Sequence, residues 1–405
     1  MTDGLAERLR ASLAREQQRL RTSLVLNPVE NFPFEEDMAV VAGPLHGLYS
    51  TDKVREREQR IATVHQFAGR RSLEADSREI YVAWARALKA EDATLRALSG
   101  LHAHIVLFMA MARPGQTVLI LPIEAGGHMS GKAIVERLGL TAIDMVVDDE
   151  AMCVDLNATL DRCADRLPDY VFVDRSEGLV FEDFSGLATL AGPRKIFDAS
   201  QYLTNVICGD HPNAFDWGFD LMIASIHKNF PGPQKALLAT RTADAAWREL
   251  LGGVSTYVSN MHTASTYAAG LTLGRTEWLA RYSRTMLRVA VLLEDALHEL
   301  GVPVVQRPRD RPATHHVWIR EADRERAFET FEALEQCQIM TNFRLLPYRL
   351  GFGVRLGVNA AVRTGLGEED VPRLAELVAL IRRDGATAAL RREAAAFNAM
   401  IWDRQ

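Results

Sequence analysis

The chain has 405 residues, 48% of them hydrophobic and 25% charged, which is ample for two domains with a large core and ordinary for a soluble globular protein. Its net charge of −6 gives no sign of a nucleic-acid partner, and no apolar run approaches the length needed to cross a membrane. Cys153, Cys163, Cys208 and Cys337 are scattered without Cys-x-x-Cys spacing, which argues against a zinc site or a disulfide framework and fits a reducing cytoplasm.

The first predicted element is an amphipathic helix over residues 5–23, with Leu9, Leu13 and Leu20 at helical spacing. It leads from a charged start rather than from an apolar signal core. Residues 24–34 read as extended, with a polar turn at Asn27–Asn31. The charged run 53–60 reads as a solvated helix face. Residues 77–89 form a helix, and Ser99-Gly100-Leu101 opens a second one that runs to Met111. Such a start presents free backbone N–H groups that suit a phosphate, although Ser99 alone is an ordinary N-cap. Strands follow at 118–122, 142–147, 170–173, 196–198 and 220–224, with a helix at 156–166 and a returning strand at 236–240. This alternation predicts an α/β fold with a mostly parallel central sheet, helices on both faces, and ligands beyond the carboxyl ends of the strands. A long helix over 276–300 leads to a smaller α/β unit with strands at 315–319, 339–344 and 353–357, a helix at 324–337, and two closing helices within 367–402. The expected division is a helical arm (1–25), a large domain (26–285) and a small C-terminal domain (286–405).

Two residues stand out chemically. Lys228 follows the apolar run 220–224, beside His227 and before the turn Pro231-Gly232-Pro233, a setting that packing explains poorly. Asp198 ends another apolar run, 228 − 198 = 30 residues earlier, enough for one crossover in a parallel sheet. Pyridoxal phosphate needs a carboxylate at its pyridine nitrogen and an amine at its aldehyde. Lys228 and Asp198 are therefore candidates for those two roles. Arg355, in a strand-like stretch, needs an anionic partner: a structural carboxylate or the carboxylate of an amino-acid substrate.

In their order along the chain, Val29-Glu30-Asn31-Phe32, Leu98-Ser99-Gly100, Gly126-Gly127-His128, Asp198, His227-Lys228, His315-His316 and Arg355-Leu356-Gly357 resemble the serine hydroxymethyltransferase family of fold-type I pyridoxal phosphate enzymes. The resemblance implies a cytoplasmic homodimer with shared active sites. It gives Lys228 and Asp198 the cofactor's aldehyde and ring nitrogen. Ser99, Gly100 and Leu101 would form the phosphate cup, with Ser225 and His227 beside the lysine. Ser176 would lie near the phenolic oxygen, and Gln201 stands where the family has a histidine. Arg355 would hold the substrate carboxylate, and Tyr49 would reach the partner subunit's site. The resemblance also implies departures. Thr51 replaces the glutamate that acts with folate, and Ala125 stands where a ring-stacking histidine is expected, leaving His128 in a supporting role. Arg344 lies near a folate-binding position. An aldol-type reaction on a β-hydroxy amino acid such as L-threonine or L-serine follows, with a small aldehyde or one-carbon unit as second substrate. Transfer of the glycine unit of L-threonine to another aldehyde is placed ahead of folate-dependent hydroxymethyl transfer. Other Cα chemistry (elimination, racemisation or decarboxylation) and a non-catalytic relative remain as alternatives.

Overall fold

The computed structural model describes residues 3–51, 53–64 and 66–404, so Met1 and Thr2 of the expected arm lie outside it. Its centre is a seven-stranded sheet in the order Asp92–Thr94, Ala236–Thr240, Leu221–Ser225, Arg194–Asp198, Tyr170–Val173, Thr117–Ile120, Thr141–Asp144. Only Ala236–Thr240 runs against its neighbours, and the other pairings are parallel. Alternate residues feed two cores, as the two-residue period of a strand requires. Val118, Ile120, Phe172, Ile196 and Ile223 pack on one face with Leu107 and Trp247. Leu119, Val171, Phe197, Met222 and Ala224 pack on the other. Burial on both faces is why these strands read as continuous apolar runs.

The C-terminal unit is a three-stranded antiparallel sheet in the order His316–Arg320, Gly351–Gly357, Asn342–Leu346. One face, with Val317, Ile319, Val354 and Leu356, packs on Met286, Val289 and Leu293 of the long helix Thr276–Glu299. Trp318, Arg355 and Asn342 are paired across the strands, so they share the opposite face, and Trp318 joins the core of the large sheet. This register turns Arg355 toward the large sheet. The N-terminal segment reaches the same unit, where Leu24–Val25 pairs in parallel with Ile339–Met340.

Several expected elements have different bounds. The helix expected from residue 77 is Arg71–Ala87, and the charged run supplies only the start of the short helix Arg57–Ala62. The strand expected over 142–147 stops at Asp144, and Val147–Asp148 pairs instead with Cys153–Val154. Residues 252–257 end the helix Ala245–Tyr257, and residues 263–266 open the helix Thr263–Leu273. Among the described residues no helix is long and apolar enough to cross a membrane.

Candidate active site

A narrow cleft lies at the carboxyl ends of the central strands, lined by Lys228, Asp198, Asp174, His128, Gly100 and Ser225 among others. Lys228 is held there through its backbone. Its carbonyl accepts hydrogen bonds from Asn31 Nδ2 (2.5 Å) and Asn359 Nδ2 (3.2 Å), which belong to opposite ends of the chain. The next carbonyl, of Asn229, accepts from Thr204 Oγ1 at 2.9 Å and from the Tyr282 hydroxyl at 3.2 Å. Burial lowers the pKa of the Lys228 amine, and the charge of Asp198 only partly opposes this. The result is a fixed lysine whose amine loses its proton more readily than a solvated one.

Asp198 is buried and bonds His104 Nε2 through Oδ2 at 2.6 Å, while its Oδ1 accepts from the Ser200 N–H at 2.7 Å. Burial alone would raise its pKa, but His104 and then Lys228 and Ser200 overcome that and hold it at about 2. Asp198 is thus a stable anion. His128 also lines the cleft. Its Nδ1 accepts from the Ser130 N–H at 3.2 Å, so a neutral ring carries its proton on Nε2. Burial, then His104 and Lys228, push its pKa down to about 4. Ala125 is fully buried in the core, and the imidazoles lining the cleft are those of His104 and His128. Gln201 also lines the cleft, and its Oε1 meets His316 Nε2 at 3.3 Å.

At the other end, the helix Gly100–Met111 begins at the cleft, with Ser99 Oγ accepting from the His102 N–H at 3.2 Å. The first N–H groups of a helix have no intrahelical partner. Gly100 is packed so closely that an added Cβ would lie 2.3 Å from Ser225 Oγ. Ser225 is itself tied to the aspartate loop, because its N–H donates to Ser200 Oγ at 2.7 Å. Leu101 and Ser176 line the same cleft. His227 is half-buried, and burial followed by the charge of Lys228 bring its pKa to about 4. An amine, a stable carboxylate and a helix N-terminus around one cleft fit a group that carries an aldehyde, a ring nitrogen and a phosphate.

Arg355 is only 4% exposed. Its guanidinium lies 3.5 Å from Glu177 Oε1, and burial lowers its pKa to about 10 against the pull of that carboxylate. Glu177 also forms an ion pair with Arg344. Tyr49 is outside the cleft of its own chain: it is partly exposed and packs on Phe67 with ring centroids 4.7 Å apart. Thr51 donates its hydroxyl to Glu74 Oε1 at 3.1 Å, so another element's carboxylate stands beside the position that lacks one. His104, Asp174, Glu177 and Asn359 were not legible as site residues. Only His104 carried a signal, being one helical turn past Gly100 on a helix whose only other polar side chain is His102.

The model of the family described as serine hydroxymethyltransferase matches residues 4–378. The serine hydroxymethyltransferase of Pyrobaculum calidifontis is 28% identical over 325 residues, 78% of this chain and 76% of that one. The fluorothreonine transaldolase of Streptantibioticus cattleyicolor is 32% identical over 300 residues, 73% of this chain but 47% of that longer protein. Among solved structures, the L-threonine transaldolase of Pseudomonas fluorescens superposes with a TM-score of 0.91 at 21% identity, covering 99% of this chain and 92% of the other. That likeness establishes the fold, the fold-type I α/β architecture expected from the sequence.

Proposed function

The chain belongs to the serine hydroxymethyltransferase family, and on that premise we propose that it transfers the glycine unit of L-threonine to a second aldehyde. It is a pyridoxal-phosphate-dependent enzyme of the aldol type. The carrying observation is a contrast within the site. Lys228, Asp198 and Arg355, which would hold cofactor and amino acid, are present together. The positions that would face a folate are changed, with Thr51 bonded to Glu74 and Arg344 paired with Glu177. Similarity to the fluorothreonine transaldolase supports the same reading.

Pyridoxal phosphate, when bound, supplies the electron sink for cleavage at Cα. The residues do the rest. Lys228 would hold the cofactor's aldehyde carbon and would take or return a proton at Nζ. Asp198, kept ionised by His104, holds the proton on the ring nitrogen. The N-terminal amides at Gly100 and Leu101 receive the phosphate. Arg355 exchanges Glu177 for the substrate carboxylate, and Arg344 keeps the displaced Glu177 neutralised. His128, neutral with its proton on Nε2, donates a hydrogen bond in the cleft rather than acting as the base. The Cα–Cβ bond of threonine would break as Lys228 Nζ takes the β-hydroxyl proton and acetaldehyde leaves; a new bond from Cα to the carbonyl carbon of the second aldehyde would then form as that proton passes to its oxygen. In a homodimer, Tyr49 of a second copy would complete the site.

Folate-dependent hydroxymethyl transfer is the second reading, favoured by the hydroxymethyltransferase relatives. Incubation with L-threonine and a panel of aldehydes, with Lys228→Ala as control, tests the proposal by mass spectrometry. A new β-hydroxy amino acid made from the added aldehyde by the wild type alone is the expected result. Product formed only from serine or glycine with tetrahydrofolate would replace it with the second reading.

A further inference from the structure

One buried acid of the cleft has no part in that scheme. Asp174 follows the strand Tyr170–Val173 and is 2% exposed, and among the described residues neither of its carboxyl oxygens has a hydrogen-bond partner. It lines the same cleft as Lys228 and Asp198. The fold makes room for it: Gly131 lacks a Cβ where one would lie 2.6 Å from Asp174 Oδ2. The neighbouring arginine does not neutralise it, since Arg175 pairs with Glu182 and lies over the ring of Phe184. The other ionisable groups around the cleft are Asp198, Lys228, His104 and His128. Two carboxyls in one desolvated site do not both ionise readily. Asp198 has His104 and the Ser200 N–H to stabilise its charge, whereas Asp174 has no comparable donor.

We propose that Asp174 is a second acid of the active site, protonated at neutral pH, which donates its hydrogen bond to the bound cofactor and leaves Asp198 as the single carboxylate there. The proposal rests on the pyridoxal phosphate reading above. Burial, then the charge of Asp198, hold the Asp174 carboxyl well above the usual carboxylate range, against the weaker pull of nearby backbone N–H groups and Lys228. An orphaned buried acid is costly unless a ligand uses it, and the cofactor is the ligand this cleft fits.

The test uses the cofactor-loaded wild type, Asp174→Asn and Asp174→Ala. The infrared difference between wild type and Asp174→Asn at pH 7 should contain the C=O stretch of a protonated carboxyl. Asn keeps a neutral donor, so it should leave the pH midpoint of the visible cofactor band within about 0.3 units, while Ala should move it by about 1 unit or more. A carboxylate signal in the infrared, or a midpoint that falls by about 1 unit in Asp174→Asn, would mean that Asp174 acts as an anion and would overturn the proposal. An unmoved midpoint in Asp174→Ala would overturn it as well. If the Ala variant does not fold, the infrared comparison with the near-isosteric Asn variant still decides. A wild type with no visible band at all would instead defeat the cofactor reading.

Discussion

Asp198 and Arg355 show how burial makes single residues useful. Both are nearly inaccessible, and each keeps its charge through one partner: His104 for the first, Glu177 for the second. The two partnerships differ in kind. His104 and Asp198 lie on a helix and a strand of the same rigid core, at 2.6 Å, an arrangement suited to permanence. Glu177 is 3.5 Å from Arg355 and shared with Arg344, an arrangement suited to exchange. If Arg355 receives the substrate carboxylate, Arg355→Lys removes the planar fork that grips both oxygens. The KM for L-threonine should rise by about 10- to 100-fold, the equivalent of one or two charged hydrogen bonds, with a smaller change in kcat. Steady-state kinetics would check this, and an unchanged KM would leave Glu177 as the sole partner of Arg355.

At the scale of elements, the site depends on how closely the helix Gly100–Met111 approaches the strand Leu221–Ser225. Gly100→Ala places a methyl against Ser225 Oγ, and something must shift. Cofactor affinity should fall by about tenfold or more, with a loss of stability of about 1–3 kcal/mol. Equilibrium dialysis and urea unfolding of the apoprotein would measure both, and wild-type affinity would show that the helix start does not hold the phosphate. The same closeness explains what the sequence revealed and what it hid. The central strands were legible because both faces are buried and the apolar runs are continuous. Lys228 and Asp198 were legible because each breaks such a run at its end. Ala245–Tyr257 was not, because Gly252 and Gly253 look like a loop. Gly253 is there for packing: a Cβ would lie 2.3 Å from that of Ala110. Asn31 and Asn359 grip Lys228 across 197 and 131 residues, a contact that no local pattern encodes.

For the whole molecule, the buried histidines set its response to acid. His211 stacks on Phe181 and His315 is fully buried, and burial lowers their pKa values to about 4 and about 3. The unfolded chain takes up these protons near pH 6.5, whereas the folded chain does not until pH 3–4. The contribution of these histidines is therefore intact above about pH 6.5 and declines as the pH falls, by about 1.4 kcal/mol per unit for each, while the raised Asp174 carboxyl acts in the opposite sense and offsets part of the decline. Asp198 adds to the loss between its ordinary value of 3.8 and its folded value of about 2. Urea midpoints of the apoprotein should fall progressively from pH 7 to pH 4, and His211→Phe should reduce the slope; a flat profile would contradict the burial account. The larger claim is that one cofactor site, held together from both ends of the chain, cleaves L-threonine and passes its glycine unit to an aldehyde. The most direct measurement is the rate of acetaldehyde release from L-threonine by the cofactor-loaded protein, with aldehydes and tetrahydrofolate added separately. Release that rises with an aldehyde and is indifferent to folate is the predicted result, and no release under any condition, with the visible cofactor band intact, would contradict the account.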